Sequence, residues 1–142
     1  MPFAISQERK CMEQLRRVQI GEVKYPVIIT LSVLEKIQEA YGSLHQFEMD
    51  IVGLDYHLDG NGHQVLDKNG KPEMVTKEPS IKAIRTAIVP MINEGLEIES
   101  EMTGIGYQPV NEQQIDREYN VDYMYLARII QEEFGKCFAV KK

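Results

Sequence analysis

The sequence predicts an α+β fold, predominantly α-helical, in which an N-terminal β-hairpin leads into a helical bundle and a second β-hairpin is inserted around residues 55–78. Three observations predict it. Tyr25, Val27 and Ile29 alternate with Pro26, Ile28 and Thr30, the period-2 pattern of a strand. Apolar residues then recur at helical spacing in several separate stretches, each preceded by a residue able to cap a helix. Between them, Asp59-Gly60-Asn61-Gly62 and Asn69-Gly70 interrupt the helical pattern with turn chemistry.

The first hairpin is expected from two runs, Val18–Ile20 and Tyr25–Thr30, joined by a turn at Gly21-Glu22. Lys10–Ile20 can extend the first strand toward the N-terminus. Ser32 stands three residues before Glu35, the spacing of a capping box, and Val33, Leu34, Ile37 and Tyr41 follow on one helix face up to a stop at Gly42. Ser43 caps a second helix from about Leu44 to Gly53, with Leu44, Phe47, Ile51 and Leu54 as its stripe. In the insertion, Asn69-Gly70 suits a two-residue hairpin turn, with His63–Lys68 and Lys71–Thr76 as its arms and Pro72 confining one arm to an edge.

Pro79-Ser80 opens the next helix, whose stripe is Ile81, Ile84, Ile88 and Met91 with Ala87 and Ile92 beside it. Pro90 is expected to kink this helix and Gly95 to stop it, leaving Leu96, Ile98 and Met102 for a further short helix. Thr103–Pro109 reads as loop. Asn111 followed by Gln114 starts a short helix over Glu112–Glu118, and Asp122 caps the last one, along which Tyr123, Leu126, Ala127, Ile130, Phe134, Cys137 and Phe138 repeat. The whole is one domain, 1–142: a hairpin (1–30), a helix pair (31–54), an inserted arm (55–78) and C-terminal helices (79–142).

With 43% hydrophobic and 27% charged residues, the chain has the composition of a folded, soluble protein. No stretch approaches the roughly 18 apolar residues of a membrane helix, and the start MPFAISQERK lacks the apolar segment of a secretion signal. Cys11 and Cys137 fit no Cys-x-x-Cys pattern and are expected as reduced, partly buried thiols in a cytoplasm. Between Glu94 and Glu118, seven acids face one base, Arg117. A net charge of −6 repels phosphate backbones, which argues against nucleic acid and against a transcriptional regulator.

Each catalytic or metal-binding pattern fails a specific requirement. A calcium loop counted from Asp55 places His57, Asp59 and Gly60 well, but puts Leu66 where a bidentate glutamate belongs. Zinc at His57 and His63 has no cysteine nearby. Ser32, Ser43 and Ser80 sit where caps belong, outside any Gly-x-Ser-x-Gly frame. Gly104-Ile105-Gly106 runs into Tyr-Gln-Pro with no third glycine opening a helix. The expectation is no enzyme, no cofactor and no metal.

The order of elements, and above all Tyr25–Leu44 with its TLSVLEKIQEAYGSL helix pair and Ile81–Glu101 within PSIKAIRTAIVPMINEGLEIE, resembles the tail assembly chaperones of long-tailed bacteriophages and prophages. The likeness spans about two thirds of the chain and excludes Asp55–Lys77. It implies a non-enzymatic protein of the bacterial cytoplasm, absent from the mature virion, that keeps the long apolar tape-measure protein soluble during tail morphogenesis. It further implies self-association into a homo-oligomer, and contact with the tail tube protein through a longer, frameshifted form. Lys141-Lys142 suits either a slippery codon pair or a frayed, solubilising tail. The other reading is a small structural virion protein, such as a tail-completion or connector component. Two sets of side chains are expected to meet a client: Met91, Ile92, Leu96 and Ile98 about the Pro90 kink, where methionine adapts to its partner, and Tyr123, Met124 and Tyr125 at the head of the last helix.

Overall fold

The hairpin stands first in the described chain and is the platform on which later elements pack. In the computed structural model, which describes residues 15–138, β1 (Arg16–Ile20) pairs antiparallel with β2 (Val23–Val27), in a register running from Arg16 opposite Val27 to Ile20 opposite Val23. Gly21 alone takes a positive φ in the two-residue turn. Val18, Ile20, Tyr25 and Val27 are buried on the core side, as the period-2 pattern expects, but Pro26 between them is buried as well. The second strand ends at Val27, short of the expected Thr30. A continuation of β1 back to Lys10 falls outside the described residues.

Helix α1 (Leu31–Tyr41) starts earlier than expected because Thr30, not Ser32, is its cap: the Thr30 hydroxyl accepts from Val33 N–H at 3.4 Å. Ile29 and Leu34 then occupy the two positions a hydrophobic staple joins, and both pack on the core. Ser43 caps α2 (Leu44–Val52) by accepting from Gln46 N–H at 3.2 Å, as expected, and Gly53 ends it.

The arm differs in detail from its expected pairing. Leu54–Tyr56 leaves the helix stripe and becomes β3, paired antiparallel with β4 (Met74–Thr76). The expected arms about Asn69-Gly70 reduce to a single bridge, Leu66 to Pro72, and a matching bridge joins Leu58 to Gln64. The cause is a repeat of period eight, Leu-Asp-x-Asn-Gly, at Leu58–Gly62 and Leu66–Gly70. In the first copy Asp59 Oδ1 accepts from Asn61 and His63 N–H at 2.8 and 3.0 Å. In the second, Asp67 Oδ1 accepts from Asn69 and Lys71 N–H at the same distances. Each turn closes so tightly that little chain is left to form a ladder. The three segments instead close in a ring, His57 N–H to Glu73 O, Glu73 N–H to Val65 O and Val65 N–H to His57 O, at 2.8–2.9 Å.

Helix α3 (Ile81–Thr103) is the axis of the molecule and packs against β2 and the four other helices. It is continuous, with Pro90 in its interior, and this corrects one expectation: Gly95 does not stop it, so Leu96, Ile98 and Met102 belong to the same helix. An interior proline costs about 3 kcal/mol. Ile84, Ile88, Met91 and Ile92, on both sides of Pro90, are at most 4% exposed, and each buried side chain of this size returns roughly 1.5–3 kcal/mol. Burial wins. Gly95 is where β2 crosses the helix, since a Cβ there would lie 2.3 Å from Pro26 O and 3.0 Å from Val27 N. The stop is Gly104, with φ of 73°.

Helices α4 (Glu112–Glu118), capped by Asn111, and α5 (Tyr123–Lys136), capped by Asp122, start where the spacing places them, but α5 ends before Cys137 and Phe138, and both of these stripe residues are exposed. Arg16 ties β1 to the end of α5 through Glu132 at 3.2 Å, and the buried Glu133 is neutralised by Lys136 at 2.6 Å. Cys137 is free and more open than expected, because the last helix ends there; its Sγ lies 3.6 Å from Ile29 O. Cys11 lies outside the described residues.

Two glycines of the same chain predict opposite responses to alanine. Gly95→Ala should destabilise the fold by about 3 kcal/mol, since neither backbone can yield. Gly135, in α5 with open space about its Cβ, should gain roughly 0.5–1 kcal/mol on the same change. Urea unfolding of both variants checks this; similar midpoints would contradict the close crossing at Gly95.

Candidate functional site

An apolar recess of about 380 Å³ lies between the first half of α3, α4 and the head of α5. Ile81, Ile84, Arg85 and Ile88 enter it from α3 at i, i+3, i+4 and i+7; Ile115, Asp116 and Tyr119 come from α4 and its cap, and Tyr123 and Leu126 from α5. Ile84, Ile88, Ile115 and Leu126 form a buried floor, whereas Ile81 is 52% and Tyr119 41% exposed at the mouth. Arg85 spans that mouth, 2.9 Å from Asp116 and 3.6 Å from Glu112.

Helix α4 is only seven residues long and cannot hold its position by itself. Asn93 on α3 fixes its approach, donating to Val110 O at 3.0 Å and accepting from Val110 N–H at 2.8 Å. The hairpin holds its far end: Tyr25 donates to Glu118 at 2.5 Å, and Gly21 N–H donates to Asn120 Oδ1 at 2.9 Å. Burial, then the bond and the charge of Glu118, push the Tyr25 phenol up to about 12. A similar group joins α1 to α2, where burial and a bond to Asp50 push Tyr41 to about 12. Burial would raise Asp50 in turn, but bonds from Lys77, Tyr41 and Gln46 outweigh it and hold that carboxyl below its usual range.

The two expected client surfaces fare differently. Met91 and Ile92 are fully buried in the core, so they offer nothing to a partner while the domain is folded. The reason is the continuity of α3, which turns this stripe inward through Pro90. Truncating Met91 would therefore act on stability before it acted on any binding. Leu96 is half-buried against the core and Ile98 half-buried beyond it. At the other place, Tyr123, Met124 and Tyr125 part company, because successive helical residues point about 100° apart. Tyr123 lines the groove. Met124 and Tyr125 border a separate hollow of about 370 Å³ with Ile51, Val52, Pro79 and Arg128, and Tyr125 accepts from Gln19 N–H at 3.3 Å.

Ile81, Ile84 and Ile88 are visible in the sequence, but as core stripe. Arg85, Ile115, Asp116 and Tyr119 carry no pattern that would join them to it. The one available hint is that Ile81–Ile92 is apolar over a wider arc than a single neighbour covers. Among the described residues no three His, Cys, Asp or Glu side chains are placed to hold a metal ion. His57 and His63 each face their own acid, Glu73 at 3.0 Å and Asp59 at 4.0 Å. No helix among the described residues is long and apolar enough to cross a membrane. No family model, curated protein or solved structure matches the chain.

A phenol whose pKa rises from 10.0 to about 12 in the fold contributes stability that is complete below pH 10 and is lost as the pH climbs toward 12. The wild type should therefore weaken by roughly 2 kcal/mol per tyrosine over that interval. Tyr25→Phe combined with Tyr41→Phe should flatten this alkaline limb. Chemical denaturation at stepped pH measures it, and a limb of equal slope in the double variant would refute the assignment.

Proposed function

We propose that this chain is a non-enzymatic tail assembly chaperone of a long-tailed phage or prophage, which binds and solubilises the tape-measure protein, and that the groove between α3, α4 and α5 receives the client. The groove is the observation that carries the binding half of this reading. It has an aliphatic floor already built, two tyrosines able to cover an inserted side chain, and an ion pair at its edge to orient the approach. The tail-assembly half draws on the likeness of Tyr25–Leu44 and Ile81–Glu101 to that family.

An amphipathic client helix presents side chains at i, i+3, i+4 and i+7, and one or two of these fit a recess of this size. Single contacts of that kind are weak. Many copies along one long client give the summed affinity, and weak individual contacts let each copy leave as tube subunits polymerise. Cytoplasmic action and absence from the finished particle belong to the same proposal. The runner-up, a structural tail component, is separated from it by the protein content of purified virions.

Ile81→Ser together with Tyr119→Ala changes two residues at the mouth and leaves the floor intact. Co-expressed with the tape-measure protein of the same tail gene cluster, this variant should leave most of the client in the insoluble fraction. Leu31→Ser, at an 84% exposed position on α1, should protect like wild type. Equal client solubility with all three proteins would remove the groove from the proposal. A wild-type protein that solubilises no client would remove the chaperone reading itself.

A further inference from the structure

We propose that the outer edge of β4 pairs with the same edge of a second copy of this chain, giving a continuous antiparallel sheet in the order β3-β4-β4-β3 about a two-fold axis through Val75. The backbone directions fix which residues of β4 are free to pair. His57 N–H donates to Glu73 O and Lys77 N–H donates to Gly53 O, so residues 73, 75 and 77 turn their backbone groups inward, toward β3. Met74 and Thr76 consequently turn theirs outward, to an edge on which no other strand of the described chain lies. Two antiparallel copies engage the groups of both residues with one another when Met74 lies opposite the partner's Thr76 and Thr76 opposite the partner's Met74. Val75 then meets the partner's Val75 in the close, non-hydrogen-bonded position.

The charges agree with the same axis. Glu73-Met74-Val75-Thr76-Lys77 reads as an acid and a base placed symmetrically about Val75. Pairing through Val75 sets Glu73, which meets His57 at 3.0 Å in its own chain, opposite the partner's Lys77, which meets Asp50 at 2.6 Å, so each cross pair extends an ion pair already present. Both pairs lie on the face that carries Val75, so an apolar contact is flanked by two complementary ones. A shift of two residues would break both pairs and bring Lys77 opposite the partner's Val75. An isolated edge is commonly guarded by a charge at its centre. Here the centre is Met-Val-Thr, with Met74 and Val75 each 41% exposed, and the charges stand only at its ends. The ring of hydrogen bonds through His57, Val65 and Glu73 and the two Asp-closed turns hold the strand extended beforehand, which lowers the entropy lost on pairing. This surface is on the arm, apart from the groove, and does not depend on what the groove binds.

Sedimentation equilibrium of the full chain over a wide concentration range tests the pairing. The wild type should show a reversible monomer–dimer equilibrium, with the Met74 and Thr76 amides exchanging more slowly as the dimer fills. Thr76→Pro removes an outward N–H that the monomer does not use, and Val75→Lys places two like charges on the axis. Each should raise the dimer dissociation constant by about tenfold or more while the melting temperature of the diluted monomer holds. Glu73→Lys should likewise weaken the homodimer by placing two lysines opposite each other on either side of the axis. A wild type that stays monomeric at its highest soluble concentration overturns the proposal. So does a dimer whose Met74 and Thr76 amides exchange freely, or one that survives unchanged in folded Val75→Lys.

Discussion

The contact on which the structure depends is the crossing of β2 over α3 at Gly95. Two main chains meet there with no side chain between them, Pro26 O standing 2.3 Å from where a Cβ would lie. Ile28 N–H reaches the Met91 carbonyl at 3.4 Å, one turn earlier on the same helix. Such an approach fixes the separation of hairpin and helix more tightly than interdigitating side chains could, because a backbone has no rotamers with which to adjust. Once set, it determines how deep Val18, Val27, Met91 and Ile92 lie, and hence where α1 and α5 can rest.

From that crossing the hairpin reaches forward to organise the groove. Its turn and Tyr25 hold Asn120 and Glu118, so a short helix with one fully buried side chain, Ile115, is kept away from α3 without collapsing onto it. An apolar recess persists in a folded domain only when something else prevents its walls from closing. Here polar anchors at both ends of α4 do so, Asn93 at one and the hairpin at the other. The same anchors explain why the raised phenol pKa of Tyr25 belongs to structure and not to chemistry: the group is buried against an acid to hold a helix, away from the groove floor.

The arm obeys a different logic. It adds little to the core and is stabilised by its own repeat, with one aspartate closing each turn and three backbone bonds closing the ring. A unit that folds on local bonds can project from the body and keep exposed apolar residues such as Leu58 and Leu66 without support from the helices.

The sequence by itself determined the elements whose signals are local. The hairpin turn at Gly21, the caps Ser43, Ser80, Asn111 and Asp122, and the helices Glu112–Glu118 and from Tyr123 onward lie where residue spacing puts them, because a cap or a turn is decided within four or five residues. The tertiary structure decided whatever required distant partners. Thr30 caps α1 in place of Ser32, with Ile29 and Leu34 on either side of it packed on the core. Pro90 and Gly95 stayed inside one helix because burial on both sides outweighed a local break, and because β2 needed a residue without a Cβ. Ile84 and Ile88 became the buried floor of a groove, with Ile81 exposed at its mouth, because α4 is anchored by Asn93 at one end and by the hairpin at the other. Local pattern records what a residue prefers; only packing records what its neighbours leave room for.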